Sequence, residues 1–147
     1  MRSLHMLKCL ATAVLLVIPF SGAGFAEPVP HGIWIMDSGK VTVQVDDCGS
    51  NICGKIVALS KPLDKNGKPK LDKENPDPTL RKRPVIGLTI LKDMKPDGRN
   101  KWEGTIYNAD DGYTYRSVMK LSGDMMKVKG CVVFICKSMS FKRMNVN

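Results

Sequence analysis

The sequence is poor in aromatic residues and in histidine, and it lacks the motifs on which most enzymes depend. Aromatic side chains make up 6% of the 147 residues, and histidine occurs only twice. Nucleophilic catalysis needs a base beside serine or cysteine, and the chain has no phosphate-binding glycine loop. The carboxylate pairs 46–47 and 110–111 fall in predicted turns, where such side chains normally serve the backbone. The sequence therefore predicts a protein that is not an enzyme and that holds no metal or cofactor.

Long hydrophobic runs are also missing, apart from one at the N-terminus. This run covers 12 residues, 9–20, and it lies between a basic start and the small residues 21–26. As a helix it would span roughly 18 Å, which is short of the roughly 30 Å hydrocarbon core of a membrane. The alternative of a membrane anchor is therefore disfavoured, and the pattern is typical of a secretory signal peptide. We predict that residues 1–26 are cleaved and that 27–147 form one periplasmic domain.

Negative charge is scarce relative to positive charge. Lysine and arginine total 23 against 14 acidic residues, giving a formal net charge of +9. Such a balance favours anionic partners, but many of the lysines occupy outward strand positions that are ordinary solvated sites. No motif of interleaved basic and aromatic residues is present, and an exported protein does not meet nucleic acid. Nucleic-acid binding is therefore not expected.

The remainder of the chain alternates in short segments that indicate β-strands and no amphipathic helix of useful length. In residues 41–45 the valines Val41, Val43 and Val45 alternate with polar residues, which predicts an inward face. The predicted strands are 32–37, 41–45, 52–59, 85–91, 101–108, 113–121, 125–130 and 137–143. Eight strands joined by tight turns predict an all-β, up-and-down antiparallel barrel, and a β-sandwich is the alternative. Such a barrel has room for its own side chains or for one small ligand.

One segment interrupts this pattern of strands and turns. Residues 60–84 contain five prolines and almost no apolar side chain, which is long for a connection without structure of its own. We predict a basic, proline-rich flap over one end of the barrel. Within it, Asp77 is expected to cap a short helix that starts at Pro78 and that points Leu80 into the barrel mouth.

The four cysteines outside the predicted signal peptide occur in two pairs with identical spacing. Cys48 and Cys53, like Cys131 and Cys136, are separated by four residues at a predicted hairpin turn. Facing residues of antiparallel strands lie within disulfide range. We predict the two local disulfides, with cross-links between the hairpins as the alternative. A zinc site of four thiolates is disfavoured by this spacing and by oxidation on export, and no Cys-x-x-Cys redox motif is present.

Several motifs together resemble a known bacterial family. These are 48–56 (CGSNICGKI), 75–87 (NPDPTLRKRPVIG), 102–108 (WEGTIYN), 111–115 (DGYTY) and 130–136 (GCVVFIC). They are similar to the signatures of the exported family called domain of unknown function 2147, and the resemblance covers about residues 30–144. It implies a lipocalin-like barrel and implies no reaction.

A lipocalin-like barrel would also assign structural roles to its first and last strands. The Gly32–Trp34 segment resembles the Gly-x-Trp that opens the first lipocalin strand, and Arg143 is placed like the basic residue that packs on that tryptophan. A cation–π contact of this kind could contribute about 1–2 kcal/mol. The chain departs from the family at Phe141, where a tryptophan is common.

The residues predicted to bind a ligand are aromatic and basic. Alternation places Tyr113 and Tyr115 on one strand face and Trp102 on another, with Gly104 leaving a gap that a ligand could fill. Arg81 and Arg83 are candidate anchors for an anion, although an alternative is that they pair with acidic residues and hold the loop. Tyr107 is the remaining residue that we predict to bind the ligand.

We therefore expect an exported protein that binds a small apolar or amphipathic molecule, including anionic ones, inside the barrel. The alternative is an envelope interaction module that binds anionic lipid, lipopolysaccharide or cell-wall polymer through its basic surface. The sequence does not predict the oligomeric state.

Overall fold

Residues 29–145 are described by a computed structural model, in which eight strands form a closed antiparallel barrel. The strands are β1 (Gly32–Met36), β2 (Val41–Cys48), β3 (Asn51–Leu59), β4 (Thr89–Pro96), β5 (Lys101–Asn108), β6 (Tyr113–Ser122), β7 (Met125–Val132) and β8 (Ile135–Met144). Each strand pairs with the next, and β1 also pairs with β8. This confirms the predicted up-and-down barrel and excludes the sandwich. The predicted signal peptide lies outside the described residues, among which no helix is long and apolar enough to cross a membrane.

Alternation along the strands builds the core, as the sequence pattern predicts. In β2, Val43 and Val45 are fully buried while Gln44 between them is exposed. In β6, Met119 and Leu121 are buried on the same face. The core lies inside the barrel because residues two apart on each strand point toward its axis.

The seam between the first and last strands joins Trp34 to Arg143. The two residues are directly paired across β1 and β8, and the guanidinium lies 4.2 Å from the centre of the indole ring. The guanidinium also donates to the His31 carbonyl (2.5 Å), and the indole N–H donates to the Pro30 carbonyl (2.8 Å). Cation–π attraction and these hydrogen bonds therefore fix the chain entering β1 against the end of the last strand.

The position of β4 is the main difference from the predicted strands. The strand was predicted at 85–91 but runs from Thr89 to Pro96. Residues 85–88 instead form a turn, in which Gly87 has a φ of +100° and donates to the Ile56 carbonyl (2.8 Å). The strand then continues through a bulge at Asp93, whose φ is +53°. The extra residue places polar Lys92 and Asp93 in sequence before buried Met94, which hides the alternation.

Residues 60–88 connect β3 to β4 without a strand of their own. Two isolated bridges, Leu63 with Pro69 and Leu71 with Pro84, fold the segment back on itself. Asp77 caps a single 3-10 turn at Pro78–Leu80, where its carboxylate accepts from the Thr79 N–H (2.9 Å). The prediction that Leu80 enters the barrel is wrong, because this side chain is exposed and the turn buries none of its residues.

Two disulfides close hairpins at opposite ends of the barrel. Cys48 is bonded to Cys53 at the β2–β3 turn, with Cα atoms 5.7 Å apart. Cys131 is bonded to Cys136 at the β7–β8 turn, with Cα atoms 4.1 Å apart. Because successive antiparallel hairpins alternate between the two ends of the barrel, the four sulfur atoms do not meet at one metal site.

Candidate functional site

A cavity of about 1140 Å³ occupies one end of the barrel. Its wall includes the last residue of β1 (Met36), the first of β2 (Val41), the last of β3 (Leu59), the last of β7 (Val132) and the first of β8 (Ile135). In an antiparallel barrel these positions all lie at the same end, which we call the open end. Ligand-binding cavities in proteins commonly measure about 300–1,000 Å³, so this space is large enough for a small organic molecule.

The opposite end is filled with side chains. The fully buried side chains at this end are those of Met94, Met119, Met126 and Val128, and Trp102 is 7% exposed. These residues come from the last part of β4 and β6 and from the first part of β5 and β7. Within residues 29–145, the barrel is therefore packed at one end and hollow at the other.

The lining of the cavity is apolar within and basic at the rim. The barrel contributes the side chains of Ile56, Ile90, Ile106, Met139 and Phe141. Around them lie five lysines and three aspartates: Lys40, Lys61, Lys70, Lys73, Lys137, Asp64, Asp110 and Asp111. Lysine outnumbers aspartate, so the rim carries excess positive charge above an apolar interior.

A polar cluster at the rim is internally satisfied. The carboxylate of Asp111 accepts hydrogen bonds from the Tyr115 hydroxyl (2.7 Å), the Asn108 amide (2.7 Å) and the Tyr113 backbone N–H (2.9 Å). Partial burial raises the pKa of Asp111, but these hydrogen bonds outweigh it and hold the pKa below the ordinary value. Asp111 is therefore an ionised group that orients Tyr115 beside the cavity.

The segment 60–88 is attached to β5 by a buried polar network. Asp72 is fully buried and accepts from the Tyr107 hydroxyl (2.5 Å) and the Asn75 amide (2.9 Å). Its Oδ2 also lies 2.8 Å from Nε and 2.7 Å from Nη2 of the Arg83 guanidinium. Burial raises the pKa of Asp72, but the hydrogen bonds from Tyr107, Asn75 and Arg83 together lower it below the ordinary value. The burial of Tyr107 and its bond to Asp72 raise the pKa of the phenol. Asp72 is therefore ionised and fully paired.

The predicted ligand-binding residues separate into two groups. Tyr107 and Tyr115 line the cavity, whereas Arg81, Arg83, Trp102 and Tyr113 are not among its lining residues. The Tyr107 hydroxyl is already bonded to Asp72 and Asn75. Tyr113 is the first residue of β6, and its side chain is 64% exposed outside the cavity. Trp102 lies instead at the packed end, so the geometry of this cavity gives it no role in ligand contact.

The two arginines act within the chain in this structure. Arg83 pairs with Asp72, and Arg81 donates to the Asn75 carbonyl through its Nε (2.7 Å). Arg83 thus makes the acidic pairing that was predicted as the alternative to anion binding, whereas Arg81 holds the segment through a backbone carbonyl. The basic groups at the cavity rim are lysines, and three of them, Lys61, Lys70 and Lys73, belong to the segment that was predicted to be a basic flap.

The space that the sequence analysis assigned to Gly104 is filled. A Cβ at Gly104 would lie 2.5 Å from the Lys92 carbonyl oxygen and 2.7 Å from the Met94 sulfur, because the β4 bulge passes directly against this glycine. The glycine that does line the cavity is Gly130 on β7, where a Cβ would meet only side chains, the nearest being Ile106 at 3.1 Å. Strand alternation from Val128 to Gly130 could have indicated this position.

One group of possible metal ligands occurs in the part of the chain that the structure describes. His31, Asp46 and Asp47 each bring a ligand atom within 4.8 Å of the others. The His31 Nε2 lies 2.9 Å from the Asp47 carboxylate, and both aspartates are exposed. This arrangement is a surface pair of the kind common without a metal, and it lies at the packed end of the barrel, remote from the cavity.

A closed eight-stranded barrel with one packed end and one hollow end is a lipocalin-like fold. It is similar to the structure described as "Protein HP1028 from the human pathogen Helicobacter pylori belongs to the lipocalin family", with a TM-score of 0.67 and 22% identity, covering 78% of this chain and 82% of that one. Residues 32–143 match the family described as "Uncharacterized protein conserved in bacteria (DUF2147)". The chain belongs to this family, as its motifs predicted. No curated protein matches it.

Proposed function

We propose that this protein binds a small amphipathic molecule, with the apolar part inside the barrel and an anionic group at the lysine rim. The observation that carries the proposal is the 1140 Å³ cavity, which is apolar inside and basic at its mouth. Burial of apolar surface away from water is favourable, and the free energy released increases with the buried area. A long-chain carboxylate is the simplest molecule that matches both the wall and the rim.

The arrangement of polar groups favours binding without catalysis. Asp111 and Asp72 are both ionised and hydrogen-bonded within the protein, so neither is a general acid at neutral pH. His31 is the one histidine among residues 29–145, and it pairs with Asp47 at the end opposite the cavity. Within residues 29–145, the serines that line the cavity therefore have no imidazole base beside them; these serines are Ser38, Ser60 and Ser138.

Export to the periplasm is the second part of the proposal. The N-terminal sequence has the charge, apolar run and small residues of a cleaved leader, and the two disulfides suit an oxidising compartment. We expect the mass of the protein recovered from the periplasm to correspond to a chain that begins at Glu27 with four oxidised cysteines. Recovery of the full-length chain from the cytoplasm would contradict this part.

Titration with a fluorescent long-chain fatty acid tests the binding proposal. The purified protein should bind the probe saturably, and Gly130→Val should weaken binding about tenfold or more because its methyl groups enter the cavity. The matched control is Lys129→Val, which adds the same side chain to the exposed outer face of the same strand. If both variants bind like the original protein, or if no probe binds, the cavity is not the site.

A further inference from the structure

The tip of the β7–β8 hairpin exposes four consecutive apolar residues. Val132, Val133, Phe134 and Ile135 are 52%, 82%, 94% and 74% exposed, and the disulfide between Cys131 and Cys136 closes the strands directly behind them. Runs of this kind on the surface of a protein in water usually mark a contact with another apolar phase. The tip projects from the open end of the barrel.

The apolar character of this tip is not needed to make the turn. The other two-residue hairpin turns of the barrel, at 49–50 and 123–124, begin with Gly49 and Gly123, whose φ values are +74° and +55°. At the corresponding position the β7–β8 turn has Val133, with a φ of +50°. A β-branched residue is disfavoured in this left-handed region, which suits glycine or asparagine. The chain therefore accepts a local cost to keep an apolar side chain here.

The tip lies beside the mouth of the cavity and beside its basic rim. Val132 and Ile135 at the base of the turn line the cavity, as does Lys137 two residues further on. Lys40 and Lys61 also line the cavity. An apolar projection bordered by lysines matches the two layers of a lipid surface, with acyl chains below and anionic headgroups above.

We propose that the hairpin tip docks into the surface of a lipid bilayer that contains anionic lipid, and that it holds the open end of the barrel against the membrane. A protein partner is less well matched, because four residues at a convex tip offer less than the about 800 Å² that each side of a standard stable interface contributes. Insertion of valine, phenylalanine and isoleucine side chains needs no complementary groove. Docking does not depend on whether the cavity holds a ligand.

Co-sedimentation with lipid vesicles tests this proposal. The test variant is Val133→Asn with Phe134→Gly, which removes the apolar tip while introducing residues that favour this turn. The control is Met125→Ser, which removes a partly exposed apolar side chain beside the β6–β7 turn at the opposite end. Vesicles of phosphatidylethanolamine with phosphatidylglycerol are compared with vesicles of phosphatidylcholine alone, and circular dichroism verifies that each variant is folded.

We expect the original protein and Met125→Ser to sediment with the phosphatidylglycerol vesicles, and to do so more weakly at high salt. The affinity of the tip variant for these vesicles should be lower by about tenfold or more. Sedimentation of the folded tip variant at the original level would overturn the proposal, as would the absence of binding by the original protein. A tip-dependent dimer in solution without lipid would overturn it in favour of a second copy as the occupant. Fatty-acid probe binding by the tip variant, measured separately, distinguishes loss of docking from loss of the cavity.

Discussion

At the scale of single residues, closure of the barrel depends most on Arg143. Its guanidinium lies on Trp34, donates to the His31 carbonyl and approaches the Asp124 carboxylate at 3.4 Å. One side chain therefore joins the start of β1, the end of β8 and the β6–β7 turn. The planar, permanently charged guanidinium is suited to stacking and to several hydrogen bonds at once.

Replacing this arginine should destabilise the barrel. We expect Arg143→Met to lower the free energy of unfolding by about 2 kcal/mol, because the cation–π contact is lost and the His31 carbonyl loses its donor. Urea denaturation measures the change, with Lys142→Met, on the exposed face of the same strand, as the control. Equal effects of the two substitutions would contradict the role assigned to the seam.

A second residue-scale prediction concerns Asp72, whose carboxylate anchors the β3–β4 segment. Since its pKa in the folded state lies below the ordinary value, its contribution to stability is present above pH about 4 and is lost as the pH falls through the folded-state pKa. We expect Asp72→Asn to cost about 2 kcal/mol at neutral pH, and the difference from the original protein to shrink in acid.

Urea denaturation across a pH series measures this, and Asp93→Asn is the control. Asp93 is exposed, and asparagine tolerates its left-handed backbone equally well. A cost for Asp72→Asn that stays constant down to the lowest pH would show that its charge does not stabilise the segment.

At the scale of elements, regular strands were predictable and the irregular one was not. β5 has the predicted bounds, and β2 and β6 differ only at their ends, because alternation of apolar and polar residues is local and turn residues delimit it. β4 was misplaced because a bulge at Asp93 changes the period within the strand. A bulge is stabilised by the neighbouring strand, here by Gly104 on β5, and this information is not local in sequence.

Substitution of the two inward glycines tests this account of β4. We expect Gly104→Ala to destabilise the protein by about 2 kcal/mol, because its Cβ would meet the backbone of Lys92 and Asp93, which cannot move without displacing the bulge. Gly130→Ala should cost clearly less than Gly104→Ala, because its Cβ meets side chains alone, the nearest being Ile106 at 3.1 Å, which needs to shift by only a few tenths of an ångström. Thermal unfolding of both variants measures the contrast, and the reverse order would be inconsistent with the bulge packing.

At the scale of the whole molecule, the two ends of the barrel differ in packing, and the sequence predicted only part of this difference. The barrel, the closing pair Trp34–Arg143 and the existence of a long β3–β4 segment follow from patterns along the chain. The cavity did not, because its lining combines strand ends that are distant in sequence. Among the predicted aromatic and arginine residues, Trp102 lies at the packed end, whereas the cavity wall is mostly aliphatic and its basic rim consists of lysines.

The central claim is that a small amphipathic molecule binds inside the open end of the barrel, and its most direct test locates a bound molecule. Solution NMR of methyl-labelled protein with an added long-chain fatty acid should show contacts from the acyl chain to the methyl groups of Ile56, Ile90 and Ile106. It should show none to Met94 or Met126 at the packed end. Contacts confined to the packed end or the outer surface, or no contact at saturating ligand, would contradict the account.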